Sequence, residues 1–159
     1  MPNASRPVTE VTPCPLCGGA VRSAWRLSHG DSANIRCLNC GDYRLLQTYF
    51  SDYIESKQLS GRDLATLSYA MFRLQGRGTT PLLNQELATN VFRSMSLPSA
   101  AEQLDNLVLY LGRSLAEPGQ TCHLDPRDTR AMLGAITKPA ARWVLLQAVD
   151  RGLLQGKLS

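Results

Sequence analysis

Histidine is scarce in this chain, with only His29 and His123 among 159 residues. That leaves little of the side chain most often used for proton transfer near neutral pH. Long apolar runs are missing too. No stretch approaches the roughly 18 apolar residues of a membrane span, and the start "MPNASRPVTEVTP" lacks the charged-then-apolar order of a signal peptide. The expectation is a cytoplasmic protein with no membrane partner. Nor is there a block of like charge. Residues 1 to 45 hold Arg6, Arg22, Arg26, Arg36 and Arg44 against Glu10, Asp31 and Asp42, and later segments are nearly balanced. The formal net charge of +4 would fall to roughly +2 once four thiolates surround one Zn²⁺. Composition therefore gives no strong electrostatic reason to bind nucleic acid.

What the chain does have is cysteine in a pattern. Four of its five cysteines form two C-x-x-C pairs, Cys14 with Cys17 and Cys37 with Cys40, separated by 19 residues. C-x2-C-x19-C-x2-C lies in the range of a structural zinc site, and a reducing compartment disfavours disulfides. Gly18 and Gly41 directly follow the second cysteine of each pair and permit turns that a side chain would hinder. The segments "AVRSAWRL", "SANIRC" and "DYRLL" carry β-forming residues, which predicts a three-stranded ribbon closed by one structural Zn²⁺. Four cysteines fill a tetrahedral shell and leave no open position for a substrate. His29, in "LSHGDS", is either a replacement ligand, a partner contact or an ordinary loop residue. Redox chemistry by the C-x-x-C pairs is the alternative to zinc, but no β-α-β pattern surrounds either pair.

After the ribbon the period becomes helical. "TYFSDYIESKQ" places Tyr49, Phe50, Tyr53 and Ile54 together, and "SGRDLATLSYAMFRLQG" places Leu64, Leu67, Met71 and Leu74 on one face behind Ser60 as N-cap. "GRGTTP" breaks the pattern and has neither Walker nor dinucleotide spacing, so it reads as a turn. Asn84 caps a helix bearing Leu87, Val91 and Met95. Ser99 and Glu102 make an S-x-x-E capping box before a stripe of Ala101, Leu104, Leu107, Val108, Leu111 and Leu115. "QTCHL" then reads as a strand, Asp125 starts a helix to about Ile136, a second helix runs from Pro139 to about Arg151, and "LLQGKL" reads as a strand.

That order matches a winged helix, and a helical bundle with two short edge strands matches it equally. The fold class expected is α+β, mostly α. Its divisions are a flexible N-terminus at 1–13, the zinc ribbon at 14–46, a helical segment at 47–97, and a winged-helix-like segment at 98–159. The wing is incomplete because the sequence stops at Ser159, which suggests either a degenerate wing or the front part of a longer chain. On the helix from Pro139, Leu145 and Val149 should face the core. Trp143, Gln147, Asp150 and Arg151 should lie outward with Val144 beside them. Trp143 either marks a protein contact or packs beneath the ribbon or another helix.

The combination "CPLCGG", "RCLNCGDYRLL", "LPSAAEQLDNLVLYL" and "LLQAVDRGLLQG" resembles the N-terminal region of uncharacterised bacterial proteins from mobile-element or defence-associated contexts. The likeness covers nearly the whole chain and rests on Cys14, Cys17, Cys37 and Cys40, with Gly18, Gly41 and Tyr43 around them. It implies a zinc ribbon and a helical or winged-helix region placed before an effector domain similar to nucleoside deoxyribosyltransferases or other nucleotide-processing folds. The effector part is absent from this sequence, so the resemblance implies an adaptor or sensor role and no catalytic residue.

Two binding readings follow. One is a protein-docking or self-associating module using Trp143 and Gln147. The other is a nucleic-acid binder with Arg22, Arg26, Arg36 and Arg44 as phosphate contacts, supported by Arg142 and Arg151, and with Trp25 and His29 on the same ribbon surface. No small-molecule substrate is inferred. The sharpest enzymatic candidate, "CHLDPRD", would use Cys122, His123, Asp125 and Asp128, but local order assigns Asp125 to a helix N-cap and Asp128 to a first helical turn.

Overall fold

A computed structural model describes residues 13–26, 32–75, 78–115, 117 and 120–155, without the side chains of 23–26. Three antiparallel strands follow the alternation of the sequence: β1 (Val21–Arg26), β2 (Ser32–Cys37) and β3 (Gly41–Leu46). Ile35 and Cys37 of β2 and Tyr43 and Leu45 of β3 point inward, while Arg36 and Asp42 point to solvent. Pairing Ile35 with Tyr43 and Cys37 with Gly41 keeps those inward residues in register.

A fourth strand extends the expected three. The chain leaves β3 through a three-residue helix, α1 (Gln47–Tyr49), and a π-helical turn (Phe50–Glu55), then runs along α2 (Gly61–Gln75) and returns as β4 (Leu82–Leu83). β4 pairs in parallel with β3, giving the order β1-β2-β3-β4. A parallel return needs a crossover, and α2 supplies it. Ser60 and Asp63 cap α2 reciprocally: the Asp63 N–H donates to Ser60 Oγ at 3.2 Å and the Ser60 N–H to Asp63 Oδ2 at 2.9 Å.

The remaining helices are α3 (Gln85–Ser94), α4 (Ala100–Ser114), α5 (Arg130–Leu133) and α6 (Lys138–Asp150), so the fold is mixed α/β. Asn84 caps α3, the Ser99–Glu102 box caps α4, and Thr137 caps α6. No helix among the described residues is long and apolar enough to cross a membrane.

Two apolar clusters hold these elements. The first joins the ribbon to α2, β4 and α3 through Ile35, Tyr43, Leu67, Met71, Leu83 and Val91. The second packs α4 against α6 through Leu104, Leu107, Leu111, Val144, Leu145 and Ala148. α5 is their joint, since Ala131 belongs to the first cluster and Met132 and Leu133 to the second.

Five local expectations are corrected. Gln120 to Leu124 forms no strand: Thr121, Cys122 and His123 are exposed, and among the described residues no neighbouring strand offers a ladder partner there. The helix expected from Asp125 to Ile136 is a turn at 126–128 followed by the four residues of α5, because Gly134 adopts φ +68° and ends it. Leu153 to Gln155 is not a strand, and residues 156–159 lie outside the described residues. The Leu153 and Leu154 N–H groups instead turn back to the Ala148 carbonyl at 2.8 and 3.2 Å, closing α6 with donors that a strand would have used. Val144 is fully buried against α4 and not on the outer face of α6, while Val108 of the α4 stripe is exposed.

Candidate metal centre

Both cysteine pairs are turns folded by their own backbone. In the first, the Gly18 N–H donates to the Cys14 carbonyl at 2.8 Å and the Cys14 N–H to the Gly19 carbonyl at 2.9 Å. The second joins β2 to β3. Gly18 and Gly41 both take left-handed backbone, at φ +66° and +79°, as their positions after each pair led us to expect. In each turn backbone N–H groups point at sulfur: Gly19 to Cys17 Sγ at 3.3 Å, Asn39 and Cys40 to Cys37 Sγ at 3.4 and 3.3 Å.

The four Sγ atoms converge. Cys14 and Cys40 are 3.9 Å apart, Cys17 and Cys37 are 3.4 Å apart, and all four lie within 4.8 Å of one another. A tetrahedral ion with sulfur at about 2.3 Å requires edges of about 3.8 Å, inside that range. Cys14, Cys17, Cys37 and Cys40 are thus close enough to hold one metal ion. Cys14, Cys37 and Cys40 are buried, and only Cys17 is partly open to solvent.

Two hydroxyls reach the sulfurs from neighbouring elements. Tyr43 Oη lies 3.2 Å from Cys14 Sγ, and Ser68 Oγ of α2 lies 3.0 Å from Cys40 Sγ. Each can donate to a thiolate, so helix and sheet both stabilise the anionic form of the shell. The crowding sets the ionisation of the bare thiols. Cys17 is held far below the ordinary thiol range, chiefly by its hydrogen bond with Cys14. Cys14 is also lowered: its contact with Cys17 acts the other way, but those with Cys37 and Cys40 lower it. Cys37 and Cys40 are pushed up, first by hydrogen bonding with Cys14. Burial raises Tyr43, and the adjacent Cys14 adds to it, so the phenol stays a donor. A divalent cation held there would resolve this conflict by favouring four thiolates at once.

The sheet and helices grip both turns. Gln75 Nε2 donates to the Cys40 carbonyl at 2.6 Å, and Gln75 Oε1 accepts the Asp42 N–H at 2.7 Å. Arg130 Nη1 donates to the Cys17 carbonyl at 3.2 Å. Asn39 Oδ1 accepts the Ala131 N–H at 2.7 Å. Sequence reasoning missed Asn39, Ser68, Gln75 and Arg130. Only Asn39 carried a signal, as a polar residue inside a C-x-x-C turn.

The residues expected to form a binding surface are dispersed. Arg22 is exposed on β1, whereas the side chains of Trp25 and Arg26, and all of His29, lie outside the described residues. Arg36 pairs with Asp42 at 3.5 Å on the outer sheet face, and Arg44 is half-buried. On α6, Trp143 is 49 % exposed and not packed beneath the ribbon, Gln147 is half-buried, and Arg151 is exposed at the helix end. Leu146, 41 % exposed, joins Trp143 on that outward face. It could have been found from its i+3 spacing. Cys122 and His123 are both exposed, and Asp125, held at about 2 by its hydrogen bond from Arg127, is bound to that arginine at 2.9 Å.

No protein-family model, curated protein or solved structure matches this chain.

Proposed function

We propose that the protein is a non-enzymatic, zinc-stabilised binding module that acts as a protein-interaction adaptor or sensor. Four sulfurs around one ion complete its shell, so the metal here would be structural, with no position for a substrate. The adaptor role accords with the resemblance to the zinc-ribbon regions of bacterial mobile-element or defence-associated proteins.

The observation that carries the docking reading is the outward face of α6. Trp143 and Leu146 are half-exposed there, beside Arg142 and Asp150 of opposite charge. An aromatic and a leucine without a surrounding cationic field suit a protein contact better than a phosphate backbone. In this reading α5, the turn at Gly134 and α6 serve as a docking face and not as a groove reader.

On the ribbon, Arg36 lies 3.5 Å from the Asp42 carboxylate, which offsets its charge locally. The test is a titration of zinc-loaded protein against duplex and single-stranded DNA and RNA at two salt concentrations. The expected result is about one zinc per chain by elemental analysis and no salt-dependent binding at micromolar protein. Binding that weakens steeply with salt would replace this reading with the nucleic-acid one.

A further inference from the structure

Asn39 stands between Leu38 and Cys40 in the second cysteine turn, and it is 1 % exposed. Its Oδ1 accepts the Ala131 N–H at 2.7 Å, a bond between residues 92 apart in the chain. Its Nδ2 is buried with no hydrogen-bond partner among the described residues. A buried amide donor without an acceptor is costly, so its neighbours matter. Its own backbone N–H already serves Cys37 Sγ. Across the turn lies Gly19, where a Cβ would meet Cys17 Sγ at 3.1 Å and Asn39 Cβ at 4.0 Å. The Asn39 side chain therefore sits beside the sulfur shell. Protonated thiols accept hydrogen bonds weakly, whereas thiolates around a divalent ion present net negative charge and are strong acceptors.

The other end of this connection is also fixed twice. Arg130, the first residue of α5, donates Nη1 to the Cys17 carbonyl and Nη2 to the Ile136 carbonyl at 3.0 Å. Ala131 packs in the ribbon's cluster, while Met132 and Leu133 pack with α4 and α6. Any change in the two cysteine turns is thus delivered to an element whose own buried residues belong to both clusters.

We propose that Asn39 is a positioning residue of the metal centre: its Nδ2 donates to the thiolate shell while its Oδ1 holds the start of α5. Metal occupancy and the seating of α5 are then one linked equilibrium, and whatever stabilises either stabilises the other. The proposal rests on the four-cysteine metal reading above. It deepens the sensor role by giving the metal a route to the helix that carries Trp143 and Leu146.

The full-length zinc-loaded chain is compared with Asn39→Asp and Asn39→Ala. Asp keeps an acceptor for the Ala131 N–H but has no N–H for sulfur and adds negative charge, whereas Ala removes both functions. Two quantities are read: zinc transfer to a chromogenic chelator, and hydrogen exchange of the Ala131 amide.

Both variants should hold zinc on the order of 10–100-fold less tightly. Only Asn39→Ala should speed Ala131 exchange while zinc is bound. Stripping zinc from the wild-type chain should speed the same amide, a measurement that needs no variant to fold. Undiminished zinc retention by Asn39→Asp, or Ala131 exchange indifferent to zinc removal in the wild type, would overturn the proposal alone. A wild-type chain that takes up no zinc at one per molecule would overturn the metal reading itself.

Discussion

Gly41 and Gly18 occupy equivalent places in the two cysteine turns, yet their surroundings differ. A Cβ on Gly41 would run into the Gln75 carboxamide, the group that bonds both the Cys40 carbonyl and the Asp42 N–H. A Cβ on Gly18 would meet nothing within 4 Å. Both substitutions force an L-residue into left-handed backbone, but only one also displaces a bonded side chain. Gly18→Ala should therefore cost about 1 kcal/mol and Gly41→Ala about 2–3 kcal/mol. Urea denaturation of the two zinc-loaded variants measures this, and equal costs would show that the Gln75 contact contributes nothing. At this scale the sulfurs were legible because spacing alone identifies them. Ser68 was not, because a serine beside Leu67 in an apolar helix looks like any small core residue until the sheet is placed against it.

The elements that sequence made legible are those with a local stop and start signal. The capping box of α4 is one. Ser99 Oγ accepts the Glu102 N–H at 3.4 Å, and the Glu102 carboxylate accepts the Ser99 N–H at 2.7 Å. The Ser99 N–H holds the Glu102 carboxyl below its ordinary range. Ser99→Ala should lower stability by about 1 kcal/mol at neutral pH. In the same variant a carbon-13 titration should find the Glu102 pKa higher than in the wild type if loss of the serine hydroxyl loosens the box. An unchanged value together with unchanged stability would show the box to be without effect. Elements defined by distant partners were harder to read. β4 has two residues and exists because β3 lies beside it, whereas "QTCHL" has comparable β-formers and no strand to join. An axis set on Leu145 and Val149 turns Val144 outward. The buried alanines Ala141 and Ala148 show that the true core face is turned toward Val144.

Over the whole molecule, the ribbon and helices are continuous through α5 and through Phe72, which packs against both clusters. Phe72 also lies near Tyr110 of α4, with ring centroids 6.4 Å apart. Thermal unfolding of the zinc-loaded chain should therefore be a single cooperative transition, with calorimetric and van't Hoff enthalpies in agreement. Two resolved transitions would instead show that the segments divided at residues 46 and 97 melt separately. Spacing could suggest such divisions, because apolar periodicity shows that each segment has a buried face without showing what covers it.

The bond from Asn39 to Ala131 also has a meaning in time. A ribosome adds about 5–20 residues per second, so the 92 positions that separate them take roughly 5–20 s to make. For that interval the second cysteine turn exists without the helix that will close over it. Metal delivery during synthesis would meet the sulfurs at their most accessible, and the arrival of α5 would then seal the ion in place.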